Sequence, residues 1–288
     1  MSEDNNDVKS IKNEDIRFVF FGTDDFSVAI LDELERASIL PSLIITMPDR
    51  PKGRGLVLTE PPVKIWAKQK NIKVEQPDKL DESFVSKLKA ISYKLFIVAS
   101  YGKIIPQAIL DIPRHGILNV HPSLLPKWRG ASPIESQILN NDKEVGVSIM
   151  LLDAKMDHGP ILDQELVDTP YWPMKGSELQ DLLAHCGGAL LASVIPLWIT
   201  GDIEEQEQDH DQATFSKKIT REDGRIDLSA DAYKNLLKIR AFNTWPRAYF
   251  IDENGKRVII TEADMVKDKL VIQRVIPEGK KEQDYRHK

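Results

Sequence analysis

Apolar runs alternate with helical patterns through the first two thirds of the chain. Four nearly all-apolar runs predict strands that are buried on both faces. Between them, apolar residues recur at helical spacing, as in Asp81–Ala90 with Phe84, Val85 and Leu88. Strands that alternate with helices predict a parallel sheet covered on both sides, a Rossmann-like α/β domain. The predicted strands are Ile16–Phe21, Ser42–Met47, Tyr93–Ser100 and Gly116–Val120.

The pattern changes after a polar, acidic stretch at Asp202–Gln212. A helix at Ala230–Arg240 is followed by short strand-like runs, and Asp252–Gly255 between two of them is a hairpin signal. Closely spaced short strands predict a small β-barrel of the OB type, shortened because few residues remain for five strands. We therefore expect a flexible tail at 1–14, a catalytic domain at 15–201, a linker at 202–213 and a barrel-like domain at 214–288.

Charge is unevenly distributed along the 288 residues, whose formal net charge is −6. From Lys217 to Lys288 there are 17 Lys and Arg against 12 Asp and Glu, a net +5, which leaves −11 on the rest. A basic C-terminal domain on an acidic body is typical of a polyanionic partner such as nucleic acid. The single Cys186 fits a reducing cytoplasm, and no uninterrupted apolar run approaches the length of a membrane helix. We expect a cytoplasmic monomer without a membrane partner.

Two turns early in the chain carry candidate chemistry. Gly22–Phe26 opens a strand–turn–helix unit in which Thr23 or Asp24 caps the helix, but the glycine fingerprint of dinucleotide binders is missing. No nicotinamide cofactor is predicted. Pro48–Gly55 is a long loop rich in glycine, proline and cations. Such a loop binds phosphate, closes over a substrate, or is a disordered basic surface loop.

The most informative stretch is the end of the fourth predicted strand. Asn119 and His121 are two residues apart, so a strand directs both side chains to one face, at the carboxyl end where open α/β sheets bind ligands. With the carboxylate of Asp157, an amide and an imidazolium suit acyl transfer to an amine, because both donate hydrogen bonds to a developing oxyanion. One alternative is that His121 and Asn119 are buried residues whose hydrogen bonds are made to the backbone. Another is that His121 and Asp157 bind a metal, although two ligands are too few to predict a zinc site.

Several motifs resemble the folate-dependent formyltransferases. Asn119–Pro126 (NVHPSLLP), followed about 30 residues later by Met156–Ile161 (MDHGPI), is similar to the signature of that family. Phe21–Phe26 is similar to the family's FxGTPxF, with Asp24 in place of its usual proline. Pro48–Gly55, Trp128–Ile134 and Arg240–Pro246 resemble further family blocks, so the likeness extends over roughly residues 16 to 280.

The resemblance implies the transfer of a formyl group from 10-formyltetrahydrofolate to the α-amino group of methionine esterified to initiator tRNA, without a metal. One departure is a short continuation from Thr261 to Leu270, where the family usually has a longer barrel. The implied catalytic residues are Asn119, His121 and Asp157; those binding the cofactor are Ser123, Leu124, Leu125, Pro126 and Tyr101; those binding tRNA are Arg50, Lys52 and Arg54.

Three other functions are compatible with these residues. A sugar-nucleotide N-formyltransferase shares the same core, although Pro48–Gly55 and Phe242–Pro246 favour tRNA. A non-catalytic RNA-binding protein would not need Asn119, His121 and Asp157 together. Hydrolysis of formyl-tetrahydrofolate requires water to outcompete the amine, and remains open as a side reaction.

Overall fold

The computed structural model describes residues 16–53 and 55–285. The predicted tail at 1–14 and the predicted tRNA-binding residue Arg54 lie outside the described residues. The chain divides into two compact units, and the predicted domain limits stay a prediction. The first unit contains the described residues up to Val120, with Ile149–Ala154 and Gly188–Glu205; the second contains His121–Ser148, Lys155–Gly187 and the residues from Gln206 onward.

The first unit contains the predicted parallel sheet. Its strands β1, β2, β5, β6 and β7 pair in parallel in the order β7-β6-β1-β2-β5. The elements up to the end of this sheet are β1 Phe18–Gly22, α1 Asp25–Arg36, β2 Leu43–Ile45, β3 Arg50–Lys52, β4 Val57–Thr59, α2 Pro62–Gln69, β5 Val74–Glu75, α3 Glu82–Ile91, β6 Leu95–Ala99, α4 Gln107–Leu110 and β7 Ile117–His121.

The turn between β1 and α1 is formed as its sequence predicts. The Asp24 carboxylate caps α1 by accepting a hydrogen bond from the Ser27 amide, at 3.3 Å. The Ser27 hydroxyl donates to the Ala99 carbonyl at 2.7 Å, which attaches the start of the helix to the end of β6. A cap of this kind is worth about 1 kcal/mol. Asp24 therefore performs a structural role at the position where the family usually has proline.

The predicted loop at Pro48–Gly55 is instead part of a two-stranded antiparallel hairpin. Strand β3 pairs with β4, with Arg50 opposite Thr59 and Lys52 opposite Val57. The sequence did not indicate these strands because the residues of β3 and most of β4 face solvent, which removes the usual alternation of apolar and polar positions.

Most of the later elements lie in the second unit, but the helix at Gly176–Thr200 is divided, because its residues from Gly188 onward belong to the first unit. Strands β9 and β10 are neighbours. Ile149–Leu151 at the end of β9 belongs to the first unit. The amide of Leu152, the next residue, donates to the carbonyl of Ile117 in β7. The remaining elements are β8 Arg129–Gly130, α5 Pro133–Leu139, β9 Val145–Leu151, β10 Ile161–Val167, α6 Gly176–Thr200, β11 Phe215–Ser216, α7 Ala232–Ala241, β12 Tyr249–Ile251, β13 Arg257–Val266, β14 Lys269–Pro277 and β15 Gln283–Asp284.

The C-terminal strands form an antiparallel sheet in the order β12-β13-β14-β15. The predicted turn at Asp252–Gly255 is confirmed, since the Gly255 amide donates to the Asp252 carbonyl at 2.9 Å. Helix α7 contributes Ile239 to the same apolar core as Phe250, Val258 and Ile272. The described strands follow one another as an open row, with β12 and β15 at its two ends.

Helix α6 is long and apolar enough to cross a membrane by length and composition alone. Core helices of globular proteins share this property, because a helix that is apolar all round is buried. Leu179, Leu183, Leu191 and Val194 of α6 are fully buried.

Candidate active site

Strand β7 ends with two buried polar residues. Asn119 is 8% exposed and His121 4% exposed, and their spacing on the strand directs both side chains to the same face. Asn119 lies in register with Val98 of β6. The amide and the imidazole are therefore placed at the carboxyl end of a parallel strand, where α/β folds bind their ligands.

The imidazole of His121 has a fixed orientation. Its Nε2 lies 3.0 Å from the carbonyl oxygen of Trp128, and because a carbonyl only accepts, Nε2 carries a proton and donates it. The other ring nitrogen, Nδ1, lies 3.9 Å from Oδ1 of Asp157. This separation is too long for a hydrogen bond but close enough for electrostatic attraction. A role for Nδ1 as an oxyanion donor requires a proton on that atom as well.

The carboxylate of Asp157 is held from its other side. Its Oδ2 accepts a hydrogen bond from the Gly130 amide at 2.7 Å. Asp157 has a φ of +48°, a left-handed backbone conformation that aspartate tolerates better than most residues. The structure thus brings His121 and Asp157 together, as the sequence predicts, although 35 residues separate them in the chain.

Gly130 cannot be replaced without moving the backbone. Its φ is +115°, and a Cβ at this position would lie 2.6 Å from the Ser216 carbonyl oxygen. The close approach arises because β8 pairs with β11, with Gly130 opposite Ser216. A glycine at this point allows the amide to reach Asp157.

The predicted folate-binding segment Ser123–Pro126 has an inner and an outer side. Ser123 and Leu125 are buried, whereas Leu124 and Pro126 are partly exposed. The Ser123 hydroxyl donates to the Lys127 carbonyl at 2.6 Å, and the Leu125 amide donates to the Ser148 hydroxyl at 3.0 Å. Leu124 and Pro126 are consequently the members of this segment whose side chains remain accessible to a ligand.

Tyr101, the other residue predicted to bind the cofactor, follows β6 and is 2% exposed. Its ring packs edge-on against Phe21, with ring centroids 5.4 Å apart. Burial raises the pKa of its hydroxyl to about 12. Among the described residues none lies within hydrogen-bonding reach of that hydroxyl.

The β3–β4 hairpin presents both cations and apolar side chains to solvent. Arg50 and Lys52 are exposed, and Leu56, Val57 and Leu58 on the returning side are each more than 60% exposed. This combination is unusual for a surface without a partner.

One lysine of α2 joins the two ends of this hairpin. Lys64 Nζ lies 2.8 Å from both carboxylate oxygens of Asp49, which precedes β3, and 3.0 Å from Glu60, which follows β4. A hydrogen bond from Gln76, followed by that from Lys64, holds the pKa of the Asp49 carboxyl below its usual range. The base of the hairpin is therefore fixed, while the predicted tRNA-binding residues Arg50 and Lys52 stay free to contact a partner.

Three residues beside Asp157 were missed by sequence reasoning. Arg129 and Gln208 are 3% and 5% exposed, and the Arg129 guanidinium donates to Gln208 Oε1 at 2.7 Å and to His210 Nδ1 at 2.8 Å. The His210 ring stacks on His158, with centroids 4.0 Å apart. Gln208 stands among exposed acidic residues, so no local pattern marks it. Across residues 16–53 and 55–285, no cluster of three His, Cys, Asp or Glu has the arrangement of a metal site.

Comparison with known proteins identifies the class to which this fold and site belong. Residues 16–194 match the Formyl transferase family, and residues 218–273 match the C-terminal domain of formyl transferases. The chain therefore belongs to the formyl transferase family.

Individual relatives extend this comparison. A methionyl-tRNA formyltransferase from Chloroflexus aurantiacus is 44% identical over 81% of this chain and 76% of its own length. The solved methionyl-tRNA formyltransferase from Clostridium thermocellum has a TM-score of 0.62 at 18% identity, over 91% of this chain and 98% of that one.

A sugar-related structure has the same fold. The N-formyltransferase from Helicobacter canadensis, in complex with folinic acid and dTDP-3-aminofucose, has a TM-score of 0.63 at 18% identity, over 89% of this chain and 95% of that one. At 18% identity the two solved structures establish a common fold. They do not identify the formyl acceptor of this protein.

Proposed function

We propose that this protein transfers the formyl group of 10-formyltetrahydrofolate to the α-amino group of methionyl initiator tRNA, in the cytoplasm. The observation that carries the proposal is the position of the Asp157 carboxylate, which lies between the Gly130 amide and Nδ1 of His121 at the end of β7. A carboxylate, an imidazole and a nearby amide are the groups that acyl transfer to an amine needs.

The reaction requires two proton movements and one stabilised oxygen. The α-amino nitrogen attacks the formyl carbon, and the carbonyl oxygen becomes an oxyanion that accepts hydrogen bonds from the Asn119 amide and from Nδ1–H of His121. Asp157 accepts the proton that the nitrogen loses, directly or through water. When the tetrahedral intermediate collapses, the bond from the formyl carbon to N10 of the folate breaks, and N10 takes up the proton that Asp157 accepted, directly or through water.

Two features favour tRNA as the formyl acceptor. The C-terminal stretch from Lys217 carries a net charge of +5, and the β3–β4 hairpin presents Arg50 and Lys52 to solvent. Cationic surfaces of this kind bind the phosphates of nucleic acids. The 44% identical relative that bears the name methionyl-tRNA formyltransferase supports the same choice. The folate donor is supported by the folinic acid in the related Helicobacter canadensis structure.

The test compares formyl acceptors directly. Purified protein is supplied with 10-formyltetrahydrofolate and with methionyl initiator tRNA, methionyl elongator tRNA or dTDP-3-aminofucose, and the formylated product is quantified. We expect rapid formylation of the initiator and a much lower rate with the other two. Activity confined to the amino sugar would reject the proposal, and a His121→Ala preparation controls for contaminating enzyme.

A further inference from the structure

The chain between the two family matches reaches the candidate active site. Residues 195–217 belong to neither match. Within them, the connecting segment 206–216 runs beside the Asp157 loop, which is residues 155–160. Gln206 exchanges two backbone hydrogen bonds of 2.8 Å with Ile161, and Phe215 and Ser216 pair with β8. The Thr214 amide also donates to the Pro126 carbonyl at 3.2 Å.

Gln208 is the buried residue at the centre of this segment. Its Nε2 donates to the Asp157 carbonyl at 3.0 Å and to the Gly159 carbonyl at 2.7 Å. Its Oε1 accepts from Nε of Arg129 at 3.1 Å and from a terminal nitrogen of the same guanidinium at 2.7 Å. One side chain thus connects the backbone on which Asp157 stands with the residue that precedes Gly130.

The chemistry of an amide suits this position. It donates through nitrogen and accepts through oxygen, so it satisfies two backbone carbonyls and a guanidinium at once. A glutamate would accept from Arg129 but would leave both carbonyls without a donor, and an asparagine is one methylene shorter. Arg129 needs such a partner, because a buried guanidinium without hydrogen bonds is costly.

We propose that the Gln208 side chain positions Asp157, which makes this one residue of the connecting segment a functional part of the active site. This inference rests on the proposed function, in which Asp157 accepts a proton. Asp157 holds a left-handed backbone conformation, which persists only where surrounding contacts enforce it. Gln208 fixes the backbone of that loop, while Gly130 fixes the carboxylate.

The first experiment measures formylation by Gln208→Leu and Gln208→Glu, with Gln206→Leu and Gln206→Glu as matched controls, because the Gln206 side chain is exposed. We expect both Gln208 variants to lower kcat about 10- to 100-fold, the scale of a small misplacement of a reacting group, with KM for both substrates within about threefold. The Gln206 variants should stay within about twofold of wild type. Gln208→Glu retains a partner for Arg129, so it keeps the test valid if Gln208→Leu fails to fold.

The second experiment separates positioning from general stability. In an Asp157→Asn background, Gln208→Glu should lower kcat by less than about threefold, because residues that act as one unit are non-additive. Equal losses in both backgrounds would overturn the inference, as would a wild-type kcat for Gln208→Glu.

A third measurement does not depend on activity. Amide hydrogen exchange in the peptide containing Asp157–Gly159 should quicken in Gln208→Glu and stay unchanged in Gln206→Glu. If wild-type protein fails to formylate methionyl-tRNA while this difference is present, the proposed function fails and the structural part of the inference stands. Unchanged exchange in both variants would overturn the inference itself.

Discussion

The Asp157 loop and the β3–β4 hairpin are held in opposite ways. The loop is fixed by hydrogen bonds from Gly130 and Gln208, which come from two distant parts of the sequence. The hairpin is held at its base through Lys64, and its strands face solvent. Chemistry at a formyl carbon needs groups placed within a fraction of an ångström, whereas recognition of a large, charged partner tolerates motion and benefits from exposed cations.

The largest effect should follow from removing the imidazole. We expect His121→Ala to slow formyl transfer at least about 100-fold, the scale for the loss of an oxyanion donor, while tRNA binding stays nearly intact. The measurements are single-turnover formylation and a binding titration with methionyl-tRNA. His185→Ala on the partly exposed face of α6 is the matched control. A rate within threefold of wild type would contradict the assigned role.

A smaller effect is expected at the hairpin, and it should concern tRNA alone. Arg54→Ala should lower kcat/KM for methionyl-tRNA about tenfold and leave the folate KM within about twofold. Removing one phosphate contact should also reduce the slope of log K against log salt by about 1. Arg36→Ala, an exposed arginine at the end of α1, is the control. A defect confined to the folate side would reject the assignment.

Lys64→Met tests whether Lys64, at the base of the hairpin, holds Arg50 and Lys52 in the position that binds tRNA. The change leaves the Asp49 and Glu60 carboxylates without their common partner, so we expect KM for methionyl-tRNA to rise about three- to fivefold. Trypsin should also cleave faster after Lys52, because a hairpin freed at its base opens more often. Lys68→Met is the matched control, since Lys68 forms an ion pair with Glu60, whereas Lys64 forms ion pairs with both Asp49 and Glu60. Equal behaviour of the two variants would show that Lys64 does not position the hairpin.

The difference between the Asp157 loop and the β3–β4 hairpin also explains which features could be predicted from the sequence. The strand that carries Asn119 and His121 was predictable because the apolar residues Ile117, Leu118 and Val120 form a short run around Asn119. Asp157 was predictable through the family motif, and the structure places its Oδ1 at 3.9 Å from Nδ1 of His121. The structure adds that Ser123 and Leu125 of the predicted folate segment face inward.

The hairpin and the role of Gln208 were not predicted from the sequence, for related physical reasons. Both strands of the hairpin are solvent-exposed, so their residues lack the alternation that burial imposes. Gln208 is polar within a polar, acidic stretch, and its burial depends on Arg129, which lies 79 residues earlier in the chain. Patterns within a short window record burial against a core, and they do not record hydrogen bonds between distant segments.

The smallest effect is expected at Tyr101, which is 2% exposed and whose hydroxyl has no hydrogen-bond partner among residues 16–53 and 55–285. If its ring alone serves the site, Tyr101→Phe should leave the folate KM within about twofold and the unfolding free energy unchanged or slightly higher, because no hydrogen bond is lost. A pKa of about 12 means that between pH 10 and 12 the unfolded tyrosine ionises while the folded one does not, so wild type loses stability as pH rises. Tyr101→Phe should therefore lose about 1 kcal/mol less than wild type between pH 9 and pH 11 in urea unfolding. A tenfold rise in the folate KM would instead assign the hydroxyl to the bound substrate.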